Sequence, residues 1–230
     1  MTLLVPSREA TFGSGGSEPY AAALAREGRL TLVGDSRRSP TIVAEYDLGR
    51  WMADADDIDL GLLASASGSV LDIGCGPGRM VRAAADLGLA ALGLDVSEAA
   101  VAFAREAGLP VVQGSVFDRV PREGSWGVAL LLDGNIGIGG DAAALLRRSS
   151  QLIDRDGVII VEVQYEADLD TRFTAHIVDD RGHESASFPW AEVGSSALAR
   201  HASTVGLRVD ETWVVGGRTF CRLSRRLRRR

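Results

Sequence analysis

The sequence predicts an α/β fold, a doubly wound sheet of seven strands that is mostly parallel with an antiparallel last strand. Three observations predict it. From residue 69 onward, apolar runs of strand length alternate with segments of helical periodicity. The first of those runs leads straight into a glycine-rich turn, Gly74-Cys75-Gly76-Pro77-Gly78. The chain then ends in two strand-like runs joined by Gly216-Gly217, which reads as an antiparallel hairpin at the sheet edge.

The elements follow in order. Residues 1–66 read as an N-terminal leader and a lid-like segment. Gly13, Ser14, Gly15, Gly16, Ser17 and Pro19 predict a mobile leader over 11–19. Apolar runs at 30–33 and 41–44 flank Gly34-Asp35-Ser36-Arg37-Arg38 as a hairpin, followed by a helix over 55–64. Residues 67–230 read as the core. Strands are predicted at 69–73, 90–94, 110–113, 126–132 and 157–163, with helices at 79–87, 97–106 and 141–153. Ser97 and Asp141 have the side chains of helix N-caps, and Gly88 and Gly108 suit helix ends. A hairpin is inserted at about 166–189, with strands 171–178 and 183–188 around Asp179-Asp180-Arg181-Gly182. A helical run over 192–204 and strands at 207–215 and 218–223 complete the chain.

Composition narrows the function classes. The chain has 230 residues, 46% hydrophobic, and no apolar stretch of membrane-helix length, so a single domain without a membrane span is expected. Met1 to Ala10 holds Pro6, Arg8 and Glu9 where a signal peptide needs an apolar core, and a cytoplasmic protein is expected. Two cysteines give no disulfide framework, and no His/Cys cluster suggests a metal. The net charge is -6, and removing the six arginines of residues 221–230 leaves -12 for the rest, which argues against nucleic acid. The Arg225 to Arg230 cluster reads as a solvated, frayed tail. All 25 basic residues are arginine, so a lysine base or Schiff base is excluded.

A strand running into a glycine loop and then a helix offers backbone N–H groups and a helix N-terminus to an anionic group. Such a loop alone suits a dinucleotide, a phosphate or an amino-acid carboxylate. The dinucleotide fingerprint needs a third glycine or alanine, yet Arg79 or Val81 stands there. Asp95 closes the next strand, Ala91-Leu92-Gly93-Leu94-Asp95, where a carboxylate accepts from both hydroxyls of an adenosine ribose.

Leu71-Asp72-Ile73-Gly74-Cys75-Gly76-Pro77-Gly78 resembles the first motif of the class I, Rossmann-like methyltransferases that use S-adenosylmethionine, and Asp95 matches their ribose-binding acid. The resemblance spans roughly residues 69–163, and the terminal hairpin matches the family's reversed last strand. It implies that Asp72 lies near the methionine amino group, that Gly74, Cys75, Gly76 and Gly78 line the methionine portion, and that Asp95 and Val96 flank the ribose. Where the family often places an acid against the adenine, this chain has Gly114-Ser115-Val116-Phe117. Ser115 would then bond the adenine and Val116 or Phe117 pack on it, with Phe117 equally suited to the core. Asp133, Gly134 and Asn135 follow the fourth strand at the expected cofactor and substrate floor, in a loop with further glycines at 137, 139 and 140. Arg50, in the amphipathic stretch 45–52, is placed to pair with the cofactor carboxylate, the rival reading being a helix that packs Trp51 into the core.

The expected activity is methyl transfer to an oxygen, nitrogen or carbon of a small molecule, leaving S-adenosylhomocysteine. Candidate bases are His176 and Tyr165, with His183, His201 and Glu162 behind them. Two alternatives stand beside this: another transfer, such as of an aminopropyl group, and a regulatory protein that binds the cofactor without turnover.

Overall fold

The computed structural model describes residues 10–13, 18–35, 41–64, 66 and 68–226. Helix α1 (Glu18–Leu24) leads into strands β1 (Arg29–Gly34) and β2 (Thr41–Asp47), then α2 (Leu48–Met52) and α3 (Asp57–Ala64). The alternating unit follows as β3 (Val70–Ile73), α4 (Arg79–Asp86), β4 (Ala91–Asp95), α5 (Glu98–Glu106), β5 (Val111–Gln113) and β6 (Trp126–Leu131). A 3-10 helix (Asn135–Gly140) precedes α6 (Ala142–Leu152) and β7 (Ile153–Val163). The chain closes with β8 (Asp170–Asp179), β9 (Phe188–Val193), α7 (Ser195–Thr204), β10 (Leu207–Val215) and β11 (Arg218–Arg225).

Seven strands form one sheet in the order β10-β11-β7-β6-β3-β4-β5. The pairs among β3 to β7 are parallel, and β11 is antiparallel to both β7 and β10. Every residue of β3 and β6 is buried, as a central strand covered on both faces requires. From β3 the chain winds outward through β4 and β5, then returns to β6 on the other side of β3. That reversal opens a crevice at the carboxyl end of β3, where open parallel sheets bind ligands.

A second, antiparallel sheet has the order β2-β1-β8-β9. It joins the N-terminal hairpin to the insertion through β1 and β8, with Leu30 opposite Asp179 and Val33 opposite His176. Beneath it, Gly137 lies so close to β9 that a Cβ there would collide with the Ala191 carbonyl and the Trp190 indole. The glycines after β6 thus let a tight 3-10 helix, not the expected loop, pass under the second sheet.

Other expectations are corrected as well. Helix α1 begins inside the segment expected to be mobile, and Phe12 packs among aromatic rings; residues 14–17 and the turn at 36–38 lie outside the described residues. The second strand of the insertion is 188–193, not 183–188, because the Asp179 carboxylate accepts from the N–H groups of Arg181 and His183 and extends the turn. That leaves α7 to begin only at Ser195. The frayed-tail reading fails for the first two arginines of its cluster. Arg225 donates to the carbonyls of Ser150, Ile153 and Asp154, satisfying the end of α6, and Arg226 donates to the Leu207 carbonyl and Ser203 Oγ. Residues 227–230 lie outside the described residues. No helix among the described residues is long and apolar enough to cross a membrane.

Candidate functional site

The glycine loop leaves β3 with its backbone donors already committed. Gly74 N and Cys75 N donate to the Leu94 carbonyl at 2.7 and 3.1 Å, Gly76 N to Asp95 Oδ2 at 2.8 Å, and Gly78 N to the Cys75 carbonyl at 3.0 Å. These four N–H groups hold the loop against β4 and fold it on itself, so of the expected anion cradle the N-terminus of α4 is what remains to face a ligand. What the loop offers is close approach. Gly74 has φ +74°, and a Cβ there would lie 2.6 Å from Asn135 Nδ2. That amide nitrogen donates to the carbonyls of Ile73 and Gly74 at 2.9 and 3.0 Å, pinning the end of β3.

Asp95 is fixed from both sides. Its Oδ2 takes the Gly76 N–H and its Oδ1 the Ser97 N–H, each at 2.8 Å, and each oxygen keeps capacity for another donor. Burial pushes its carboxyl above the usual range, against the pull of these backbone bonds.

A cavity of about 930 Å³ opens over the loop. Asp72, Gly74, Cys75, Gly76, Asp95 and Val96 line it on the β3–β4 side, Ser115, Val116 and Phe117 on the β5 side, and Asp133 and Asn135 after β6. Gly78 does not line it; it caps α4, where a Cβ would lie 2.6 Å from Leu109 Cδ1. Arg50 and Gly134 line a neighbouring cavity instead. Neither candidate base lines either cavity. Tyr165 is 86% exposed, and His176 Nδ1 lies 2.6 Å from Asp35 Oδ1, whose other oxygen accepts from Ser187 Oγ. His183 and His201 are likewise engaged, with Asp179 and Asp170 at 2.9 and 2.8 Å.

Two features of the site escape the sequence. One is a buried ionic network under the cavity floor. Arg79 bridges Asp59 and, at 2.6 Å, Asp133; Arg218 bridges Asp59 at 2.9 Å and holds both oxygens of Glu162 at 2.8 and 2.9 Å. Glu162 in turn accepts the Asp133 N–H at 2.8 Å. In the sequence Arg79 marks only the missing third glycine. Asp72 sits beside this network, and burial raises its carboxyl to about 7, opposed by Arg79 and reinforced by Asp133, Asp95 and Asp59. The other feature is aromatic. Phe12 lies within 6.4 Å, centroid to centroid, of Tyr20, Tyr46, Trp51, Phe188 and Trp190, and walls the cavity together with Tyr20, Trp51 and Trp190.

Residues 70–157 match the family described as methyltransferase domain. Over nearly the whole chain the fold is that of an S-adenosylmethionine-dependent methyltransferase from Bacteroides fragilis solved with S-adenosyl-L-homocysteine. The TM-score is 0.75 at 21% identity, covering 91% of this chain and 95% of that one. The methyltransferase-domain match falls on the central alternating unit, from β3 into β7, and the likeness of fold extends beyond it on both sides.

Two further structures share the fold of this methyltransferase domain. One is the 1,6-didemethyltoxoflavin-N1-methyltransferase of Burkholderia thailandensis, with TM-score 0.55, 17% identity and coverage of 78% of this chain and 83% of that one. The other is an amino pentose methyltransferase from Micromonospora echinaspora, with TM-score 0.57, 15% identity and coverage of 78% and 95%. No curated protein sequence matches the chain.

Proposed function

We propose that this protein is a cytoplasmic methyltransferase acting on a small-molecule acceptor. The observation that carries the reading is Asp95, held by Gly76 N and Ser97 N at the floor of a cavity large enough for the cofactor and more. Two of the related folds have small-molecule acceptors in their names, which supports that acceptor class.

The residues present fit the cofactor. Asp95 has acceptor capacity for the ribose hydroxyls, Asp72 offers a carboxylate to the amino group, and the Gly74 approach leaves room no side chain would leave. Val96, Val116 and Phe117 supply apolar surface for the adenine, with Ser115 as its polar partner. S-adenosylmethionine supplies a methyl group on a sulfonium, an excellent leaving group, so the protein's task is alignment and exclusion of water. Asn135 acts as a positioning residue through the Ile73 and Gly74 carbonyls. The aromatic wall around Phe12, under the second sheet, forms the roof; the β1–β2 hairpin acts with the insertion at 166–189 as one lid, while α3 lies on the other side and brings Asp59 under the floor.

S-adenosylhomocysteine is expected to raise the melting temperature, and NAD is not. Asp95→Ala should weaken S-adenosylhomocysteine binding about 100-fold or more, since two charge-assisted bonds are lost, and Asp95→Asn should separate that loss from any change in the loop. Stabilisation by NAD alone would overturn the donor assignment. Release of S-adenosylhomocysteine with a panel of acceptors tests turnover; binding without release on any of them favours the regulatory alternative.

A further inference from the structure

A second cavity, of about 340 Å³, adjoins the first, and the two share Trp51, Asp133 and Trp190 in their walls. Whatever fills the second cavity thus meets the first between two indoles, beside a residue that follows β6 at the carboxyl end of the sheet. Its polar lining is mostly carboxylate. Asp133 and Glu162 are matched by Arg79 and Arg218, and Asp47 caps α2 by accepting the Gly49 N–H. Arg50, the one cation among the described lining residues, is exposed and is drawn toward Asp133, Glu162 and Asp56 at longer range than an ion pair. That leaves Glu45 and Glu192 to act on an occupant. Glu192 is half-buried on β9, and its Oε1 accepts from Gln164 Nε2 at 2.8 Å.

We propose that this second cavity is the acceptor site and that the acceptor is an amine, its nitrogen presented between Trp51 and Trp190 and its charge and proton taken by Glu192. The inference rests on the methyltransferase reading of the first cavity. Three observations support it. Indole faces and carboxylates both attract an ammonium group, whereas an acceptor bearing a phosphate or carboxylate would be desolvated against like charge. An alcohol would need a strong base, yet no histidine lines either cavity, and burial holds the Tyr20 and Tyr46 phenols protonated. Burial also pushes the Glu192 carboxyl up, which suits it to receive a proton. The step balances: the ammonium gives a proton to Glu192, and the nitrogen lone pair forms the N–CH3 bond. The S–CH3 bond breaks with its electron pair remaining on sulfur. The methylated ammonium carries the positive charge away, and Glu192 returns its proton to water.

The test uses protein first saturated with S-adenosylhomocysteine and then titrated calorimetrically with phenethylamine, phenethyl alcohol and 3-phenylpropionate. The amine is expected to bind about tenfold or more tightly than the alcohol, and the carboxylate not at all. Glu192→Gln should weaken amine binding about tenfold while leaving S-adenosylhomocysteine affinity within about twofold. Equal or tighter binding of the alcohol or the carboxylate, no binding of any probe, or wild-type amine affinity in Glu192→Gln overturns the assignment. Failure of S-adenosylhomocysteine itself to bind overturns the donor reading, and the acceptor assignment with it.

Discussion

Arg79→Ala is expected to destabilise the protein by about 3–5 kcal/mol, the range for removing one partner of a buried ion pair. The Arg79 side chain is only 5% exposed and touches two carboxylates, Asp59 and Asp133, of which Asp59 is fully buried. Truncation leaves Asp59 with Arg218 alone and Asp133 without its nearest cation. Urea unfolding measures the loss, and the melting temperature should fall by roughly 10 °C. The network also predicts coupling. In a cycle with Asp59→Ala, the double variant should be less destabilised than the sum of the singles by more than about 1 kcal/mol. Additive losses would show that the two side chains do not support one another.

Asp72→Asn should do the opposite to stability and harm binding. The native Asp72 carboxyl titrates at about 7, and an unfolded aspartate near about 3.9. The folded state therefore holds this proton more tightly. The stability it confers is complete below about pH 4 and is lost as pH rises through about 7. Above that window the buried carboxylate opposes folding, by an amount on the order of 2–4 kcal/mol. The asparagine variant is expected to melt higher than wild type near pH 8 and equally near pH 4. Its affinity for S-adenosylhomocysteine should drop about tenfold or more, because no carboxylate meets the amino group. In the wild type that affinity should weaken as pH falls below about 7, since the proton must leave Asp72 first. A stability difference that stays constant across this range would sink the account.

The fold was legible because its signals are local. Strand-length apolar runs, Ser97 and Asp141 as caps, and the Gly216-Gly217 turn each announce their element within a few residues; β3 to β6 stand within a residue of where the sequence puts them, whereas β7 begins four residues early and the insertion's second strand is displaced by five. Asp95 was legible because its spacing from the loop is set by one strand–loop–helix unit. The rest depends on partners far along the chain. Nothing near Arg79 announces Asp59 or Asp133, and nothing in the loop tells that the Leu94 carbonyl takes two of its N–H groups. Histidines can be counted in a sequence, but their distance from the reacting atoms cannot. Phe12 was hidden by its glycine-rich surroundings, which read as a mobile leader although the ring lies among five others.

The hydrogen bonding of β1 to β8 bears on any attempt to change the acceptor proposed for this protein. The two segments that cover the cavities are distant in sequence but share one set of backbone hydrogen bonds, with β8 supplying one flank of β1 and β2 the other. Grafting a new insertion without its matching N-terminal hairpin would strip β1 of a neighbour and leave a row of unpaired backbone groups, an invitation to aggregate. The two pieces are therefore one exchangeable module, and new acceptor ranges should arise by replacing them together.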